Sequence, residues 1–353
     1  MASKTRIGVI GLGFGINHVR SAAFLPEVEL VAVADFLPER SGPAEALGAR
    51  YYKDYRQMLD NEKLDGVVAA VSNDQHESVA VECLQRGMPI LLEKPIAPTL
   101  EEADRIIAAS EKTGTPLLIG HHRRFSDFVV KAREMIQSGA IGDLAAISVL
   151  WTILKPKDYY NATWRTKKAT GGGPLLINTI HDVDDLRYIC QREVTRVYAE
   201  TSNRVRGFEV EDTIGISLRL EGDVLATIAT SDCVPSIWAY ESTTSPWENP
   251  FFHYVPEDCY YFFGTKGSLT LPQMRHVWYP DAAKEGWQWP IQVDKLGVTP
   301  TAPLHEEMKH FCRVAHRQES PRTSGRDARR TLEVVLAIMK SGETHQAVEL
   351  AGE

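Results

Sequence analysis

The feature that most limits the fold is the order of short apolar strands and amphipathic helices along roughly the first third of the 353-residue chain. Near-continuous apolar runs are typical of strands that are buried on both faces. A chain in which such strands alternate with helices forms a parallel sheet covered by helices on both sides. The predicted strands are residues 5–10, 30–34, 66–71, 89–92 and 116–119, and the clearest predicted helices are residues 75–86 and 100–112.

The pattern changes after residue 122. A helix over residues 126–138 precedes an alternating strand over 144–154, and later strands follow without regular helices between them, which is typical of an antiparallel sheet. Residues 303–341 are predicted to be helical again, with a break near Ser320. The length fits two domains of about 100–200 residues each. We therefore expect an α/β protein with a doubly wound domain, residues 1–122, and an α+β domain, residues 123–353, whose last helices pack back towards the first domain. The later predicted strands are residues 194–201, 213–220, 224–231, 260–264 and 268–271.

Composition excludes several classes of function. The formal net charge is −8, with 39 basic and 47 acidic residues, and no basic cluster suits a phosphate backbone, so no nucleic-acid partner is expected. The five cysteines are scattered and include no CxxC pair, which argues against a zinc cluster and a disulfide framework. We expect no targeting leader, and the sequence contains no apolar run of about 20 residues. We expect a cytoplasmic protein without a membrane partner.

A glycine-rich turn follows the first predicted strand and carries Gly11, Gly13 and Gly15. Glycines at this place let the backbone approach a pyrophosphate, whose charge is favoured by the N-terminus of the following helix. Asp35 stands at the offset of about 20 residues expected for a carboxylate that accepts from the ribose hydroxyls. The turn therefore predicts a dinucleotide site that also includes Phe14 and Ile16, although the third glycine of G-x-G-x-x-G would fall at Ile16. The alternative is an ordinary strand–helix connection.

The same region predicts which dinucleotide is bound. Asp35 would repel a 2′-phosphate, and the next residue, Phe36, offers that phosphate no positive partner. Arg40 is predicted to lie near the adenine. NAD is therefore the expected cofactor, with NADP as the alternative.

The sequence Glu93-Lys94-Pro95 directly follows a buried strand, at the carboxyl edge of the sheet where ligands bind in such folds. Pro95 fixes the chain direction, and a cis bond before it fits a tight turn. Lys94 is predicted to point into the crevice near the nicotinamide. The alternative is a surface turn with a salt-bridged lysine.

A second constellation lies in residues 170–188, where three glycines precede a helix. Asn178, His181, Asp182 and Asp185 stand three, four or seven residues apart and can share one helix face. His181 is a candidate proton acceptor, because histidine titrates near neutrality. The alternatives are a solvated polar face with His181 packed beneath it, or a metal held by His181 and the two aspartates. Hydride transfer does not require a metal, and none is expected.

Together the glycine turn, Glu93-Lys94-Pro95, GHHRRF at 120–125, Trp164-Arg165 and INTIHDVDD at 177–185 resemble the Gfo/Idh/MocA oxidoreductases. The resemblance implies an N-terminal Rossmann domain and a C-terminal, largely antiparallel open-faced sheet that mediates dimers or tetramers. It assigns the family's lysine role to Lys94 and its catalytic histidine role to His181. Some members carry an aspartate four residues before the histidine, where this chain has Ile177. The resemblance further implies cofactor contacts at Ser72, Asn73, His76, Glu93, Lys94 and Pro95, and substrate contacts at His122, Arg123, Trp164, Arg165, Asn178 and Asp182.

The expected activity is hydride transfer between NAD(P) and a secondary alcohol or ketone of a sugar or polyol. Lys94 would polarise the substrate oxygen, and His181 would act as acid and base. Two alternatives stay open. One is an enzyme that retains NAD for redox-neutral hydrolysis, epimerisation or coupled exchange, and the other is a non-catalytic NAD-binding sensor.

Overall fold

The computed structural model describes residues 4–351, which form two compact units. The first contains residues 4–122 and 303–332, and the second contains residues 123–302 and 333–351. The strands are β1 (Thr5–Ile10), β2 (Val28–Ala34), β3 (Arg50–Tyr52), β4 (Gly66–Ala69), β5 (Ile90–Glu93), β6 (Leu117–Gly120), β7 (Leu144–Thr152), β8 (Val194–Ser202), β9 (Thr213–Leu220), β10 (Val224–Ser231), β11 (Tyr260–Gly264), β12 (Gly267–Leu271), β13 (Arg275–Trp278), β14 (Gln292–Lys295) and β15 (Val348–Glu349). The helices are α1 (Ile16–Phe24), α2 (Gly42–Glu45), α3 (Tyr55–Asn61), α4 (His76–Gln85), α5 (Leu100–Thr113), α6 (Asp127–Gln137), α7 (Ile180–Cys190), α8 (Tyr240–Thr243), α9 (Pro303–Ala315) and α10 (Gly325–Thr344).

The first unit is built on a six-stranded parallel sheet in the order β3-β2-β1-β4-β5-β6. Strands β1, β4, β5 and β6 are almost entirely buried, as expected for strands covered on both faces. The strand order reverses between β1 and β4, and ligands of such sheets bind at the carboxyl ends of the strands at that point. The predicted doubly wound parallel sheet is confirmed.

Helix α5 illustrates how the local sequence sets the helix ends. The Thr99 side chain accepts a hydrogen bond from the Glu102 backbone N–H, and Glu101 and Glu102 lie in the first turn, where acidic groups suit the helix dipole. Gly114 ends the helix with a φ of +64°, a left-handed conformation that glycine adopts at little cost.

Helix α9 completes the first unit by packing against α1. Its Phe311 is fully buried and lies against β4, because a Cβ at Gly66 would stand 2.9 Å from the Phe311 ring. A larger residue at either position would push the helix away from the sheet. This packing brings the other buried residues of α9 into the core of the unit.

The second unit contains a nine-stranded sheet in the order β14-β13-β12-β11-β7-β10-β9-β8-β15. Neighbouring strands pair antiparallel except β7 and β10, which pair parallel. Burial alternates along β9, and along β10 as far as Thr230, so one face of these strands is covered and the other is open. The predicted largely antiparallel sheet is confirmed.

Helix α7 follows a single π-helical turn, Leu175–Thr179. Ten of its eleven residues are buried, although the helix carries three aspartates and an arginine. A helix that is polar and yet buried requires internal partners for its charges.

Within residues 4–351, no helix is both long and apolar enough to cross a bilayer.

Candidate active site

The glycine turn, residues 11–15, joins β1 to α1 at the carboxyl edge of the parallel sheet. Gly11 has a φ of +84°, and a Cβ there would lie 2.5 Å from the Ala70 carbonyl oxygen. A Cβ at Gly15 would lie 2.0 Å from the Gly11 carbonyl oxygen, so only glycine fits at the start of α1. Gly13 is exposed, and a Cβ there would approach only the Arg40 guanidinium, at 4.0 Å. The open side at Gly13 fits a pyrophosphate, and the close packing at Gly15 explains why the third glycine is shifted from the motif position.

Asp35 follows β2 and ties that strand to the glycine turn. Its Oδ2 accepts a hydrogen bond from the Leu12 backbone N–H at 2.6 Å, and its Oδ1 accepts from the Leu37 N–H at 2.9 Å. The side chain is only 1% exposed, and Arg40 Nη1 lies 3.5 Å from Oδ2. A carboxylate has about four acceptor sites, so capacity for ribose hydroxyls remains. The ribose contact stays a prediction, and Arg40 supplies a positive neighbour that Phe36 could not.

The Glu93-Lys94-Pro95 turn is held from both sides. The Lys94–Pro95 peptide bond is cis, and Glu93 and Pro95 are buried, whereas Lys94 is only partly buried. His76 is fully buried and donates from Nδ1 to the Pro95 carbonyl oxygen at 2.7 Å. Burial lowers the pKa of His76, so its imidazole is neutral at physiological pH. Lys94 is therefore presented by a fixed backbone.

His76 itself was predicted to contact the cofactor. Its Nε2 lies 3.3 Å from the Val71 carbonyl oxygen, so both ring nitrogens face backbone carbonyls. Ser72 is exposed and Asn73 half-buried on the loop after β4, beside the glycine turn because β4 neighbours β1. His122, predicted near the substrate, lies after β6 with its ring 6.5 Å from Phe14. The first unit thus gathers these residues at one edge of its sheet, while their contacts with a ligand stay predictions.

In the second unit, the turn that carries Trp164 and Arg165 packs on the glycines before α7. A Cβ at Gly172 would lie 2.6 Å from the carbonyl oxygens of both Trp164 and Arg165. The Gly173 N–H donates to the Arg165 carbonyl at 3.1 Å. Trp164 is 36% exposed, and the Arg165 guanidinium lies 3.9 Å from the Tyr159 ring centroid. The glycines are therefore needed for close backbone approach.

Arg123 and Asp182, both predicted to bind substrate, are instead joined in the interior of the second unit. Arg123 is 2% exposed and donates from Nη1 to Asp182 at 2.9 Å and to Asp185 at 3.3 Å, and from Nη2 to Glu241 at 2.6 Å. Burial raises the pKa of Asp182 to about 6 and that of Asp185 to about 8, with Arg123 opposing the shift. The guanidinium stands between the two aspartates that the metal alternative required as ligands.

Asn178 lies on the π-helical turn and has a different partner. It accepts a hydrogen bond at 2.6 Å from Lys155, whose Nζ also lies 3.5 Å from Asp232 and 4.6 Å from the Tyr159 ring centroid. A π turn adds a residue to the helical turn, so Asn178 is not in α-helical register with His181. His181 is 6% exposed at the start of α7. Asn178 and the two aspartates therefore do not form one shared polar face.

Lys155 is a candidate that sequence analysis missed. Burial lowers its pKa to about 8, while the charge of Asp232 opposes the shift. Its side chain is about 10% exposed. The only signal in the sequence is a lysine placed directly after a strand that alternates apolar and polar residues. Its pairing with Asn178 joins positions 23 residues apart and required the fold.

Comparison with known proteins agrees with this architecture. Residues 5–121 match the model of an oxidoreductase family with an NAD-binding Rossmann fold, and residues 129–270 match the GFO/IDH/MocA C-terminal domain. The chain is 27% identical to the myo-inositol 2-dehydrogenase of Thermotoga maritima over 98% of both chains. It is 31% identical to inositol 2-dehydrogenase 2 of Saccharopolyspora erythraea, over 63% of this chain and 65% of that protein.

Among solved structures, the WlbA dehydrogenase of Bordetella pertussis, determined in complex with NADH and UDP-GlcNAcA, aligns with a TM-score of 0.79. The alignment covers 99% of this chain and 100% of that chain at 24% identity, which shows a shared fold. The two family models together cover most of this chain, with the boundary between them close to the end of its parallel sheet. The chain belongs to the Gfo/Idh/MocA family of oxidoreductases and contains that family's NAD-binding Rossmann domain.

Proposed function

We propose that this protein is an NAD(P)-dependent dehydrogenase or reductase of a secondary hydroxyl on a sugar or polyol. The observation that carries the proposal is the way the first unit presents Lys94. Buried neighbours fix the backbone on both sides of it, and it stands at the same sheet edge as the glycine turn. The names of the inositol dehydrogenases among its relatives support a polyol as the substrate class.

In the proposed reaction, the glycine turn would hold the dinucleotide, which would supply the hydride acceptor for oxidation as NAD and the hydride donor for reduction as NADH. Lys94 donates a hydrogen bond to the reacting substrate oxygen and stabilises negative charge as it develops there. His181 accepts the hydroxyl proton during oxidation and returns it during reduction. Proton and hydride leave the same carbinol group, so the product is a ketone.

We propose that Lys155 and Asn178 form hydrogen bonds with the hydroxyls of the substrate that do not react. The amide of Asn178 offers donors once its oxygen is taken by Lys155. Polyols present several adjacent hydroxyls, and a lysine with a lowered pKa beside an amide suits them. This pair stands in place of the aspartate that some family members carry where this chain has Ile177.

The test compares Lys94→Met with Lys112→Met, which removes a lysine from the last turn of α5. With NAD and a panel of polyols that includes myo-inositol, we expect Lys94→Met to lower kcat/KM about 10²–10³-fold, as loss of one preorganised donor does. Nicotinamide absorbance gives the rate, and a titration that follows protein fluorescence as NAD is added gives the Kd for NAD. Lys112→Met should match the wild type.

The assignment fails if Lys94→Met turns over at the rate of Lys112→Met. His181→Asn provides an independent check, with kcat expected to fall about 10²–10⁴-fold through loss of the acid–base group. If no polyol, sugar or keto form changes the nicotinamide absorbance of wild-type protein that binds NAD, the sensor alternative replaces the enzyme.

A further inference from the structure

A cluster of three buried ionisable side chains lies in the first unit, beside the residue that precedes Lys94. It consists of His18 of α1, Glu93 of β5 and Glu307 of α9, each of which offers an atom within 4.8 Å of the other two. His18 and Glu307 are fully buried, and Glu93 is 6% exposed. The function proposed above uses none of the three directly.

Glu307 is the unusual member of this cluster. Among residues 4–351, neither of its carboxylate oxygens has a protein hydrogen-bond partner. An ionised carboxylate buried without a partner is too costly to persist, so such a group either carries a proton or faces a cation. Burial and then the charge of Glu93 raise the pKa of Glu307 well above its ordinary value.

The distances favour a proton over a metal ion. His18 Nε2 lies 2.7 Å from Glu93 Oε1, which is the length of a charge-assisted hydrogen bond. Two ligand atoms that each lie about 2.1 Å from one ion in tetrahedral or octahedral geometry stand roughly 3.0–3.4 Å apart. His18 therefore donates to Glu93, and Glu307 is left to be neutralised by its own proton.

We propose that Glu307 is a neutral carboxylic acid at physiological pH and acts as a positioning residue for the Glu93-Lys94-Pro95 turn. The groups that face Glu93 are His18 from α1, Lys94 from its own strand end, His122 from the segment after β6, and Glu307 from α9. With Glu307 neutral, the cluster places one negative charge, not two, next to Lys94.

Glu93 transmits this effect to the turn. Burial acts to raise the pKa of Glu93, but the His18 hydrogen bond, His122 and Lys94 together hold it below the ordinary value. Its Oε2 accepts from the Lys94 backbone N–H at 3.2 Å. Its carboxylate also packs against Gly120, where a Cβ would lie 3.3 Å from Glu93 Oε1. A second charge at Glu307 would repel this carboxylate and disturb the turn; the consequence for catalysis rests on the role proposed for Lys94.

The first test measures unfolding against pH and does not depend on activity. The native state holds the Glu307 proton at pH values where the unfolded chain, with a pKa near 4.3, has lost it. The stabilisation that the Glu307 proton gives to the folded state is therefore complete below the pKa of the unfolded chain. It is lost as the pH rises towards the pKa of Glu307 in the folded protein. Relative to Glu307→Gln, the wild-type unfolding constant should rise about tenfold per pH unit between pH 5 and pH 7.

Glu306→Gln is the matched control, since Glu306 neighbours Glu307 on α9 and is partly exposed, paired with Lys309 at 2.8 Å. Its pH dependence should follow that of the wild type. Equal pH slopes for Glu307→Gln and the wild type would overturn the proposal. The lowered pKa of His76 makes the stability rise with pH, which is the opposite of the effect of Glu307. Because His76 is present in the wild type and in both variants, its effect is the same in all three and does not alter the differences between them.

Infrared spectroscopy in a Glu248→Gln background tests the same point even if a Glu307 variant fails to fold. The background is needed because burial also raises the pKa of Glu248, to about 7. At pH 7 the ¹³C-glutamate protein should show the carbonyl band of a buried protonated carboxylic acid, and its absence would overturn the proposal. One equivalent of divalent metal found by elemental analysis and lost in Glu307→Gln would overturn it as well.

Kinetics then test the positioning role. Glu307→Gln and Glu307→Leu both leave an uncharged side chain at this position, so each should keep near-wild-type kcat at pH 7. Each should also lack the fall in kcat that ionisation of Glu307 causes in the wild type at alkaline pH. If the alkaline part of the kcat–pH profile is the same for Glu307→Gln and the wild type, the positioning role is rejected. If the unfolding constants show the expected pH dependence while neither the wild type nor any variant turns over a polyol, Glu307 is still a neutral acid, and the proposed function is wrong.

Discussion

Asp35 holds the backbone of the glycine turn and is expected to influence the choice between NAD and NADP. Its two oxygens hold the backbone N–H groups of Leu12 and Leu37, and its side chain is almost completely covered. The nearby Arg40 guanidinium is 43% exposed and partly offsets the carboxylate charge. A negative and a positive group thus lie together where the adenosine ribose is expected. The balance between them, and not either group alone, should decide between NAD and NADP.

Asp35→Asn tests that balance. The amide removes the charge that repels a 2′-phosphate, so we expect the ratio of kcat/KM for NAD to that for NADP to fall about tenfold, equivalent to ~1.4 kcal/mol. Arg40→Met should shift the same ratio in the opposite direction. Steady-state kinetics with both cofactors measure it. A ratio that neither variant changes would show that the ribose lies elsewhere.

The polar residues of helix α7 lie in the interior of the second unit, where the arginines before α6 neutralise its aspartates. Arg123 binds Asp182 and Asp185, and Arg124 binds Asp184 through two nitrogens, each at 2.7 Å. Such pairs contribute little net stability relative to apolar packing, but breaking one leaves a buried charge without a partner. We infer that they fix the direction of α7 and therefore the place of His181 at its start.

Arg123→Met should therefore destabilise the protein by about 3–5 kcal/mol, the usual cost of breaking a buried pair. Arg196→Met is the control, because Arg196 is 45% exposed and its nearest carboxylate, on Glu349, lies 3.9 Å away; its effect should stay within about 0.5 kcal/mol. Urea unfolding measures both. If Arg123→Met keeps wild-type stability and raises only the substrate KM, Arg123 is a substrate ligand, as the resemblance implied.

For the whole molecule, the sequence predicted those parts of the fold that have a periodic pattern. Strands β1, β9, β10 and β11 begin and end at the predicted residues, since their burial is nearly continuous or nearly alternating. Strands β3, β13 and β14 were not predicted. They are three or four residues long and half-exposed, so no apolar pattern marks them.

The candidate site was predictable where the chemistry is local in sequence. The glycine turn and the Glu93-Lys94-Pro95 turn each lie within a few residues of a strand end. The Lys155–Asn178 pair joins distant segments, as does the placement of Glu307 within 4.8 Å of Glu93, and only folding brings these residues together. The π turn before α7 also shifted Asn178 away from the predicted helical spacing.

A last prediction separates a dehydrogenase that exchanges its cofactor from an enzyme that retains it. Gly13 and Phe14 are exposed on the glycine turn, and Phe14 is 46% exposed. Backbone N–H groups and one carboxylate are modest anchors, so NAD should exchange at each turnover. With excess polyol, NADH in the protein-free filtrate should exceed one equivalent per chain many times over. If NADH instead stays below one equivalent per chain while the polyol is converted to another product, and denatured protein releases NAD, then oxidation is transient and the net reaction is redox-neutral.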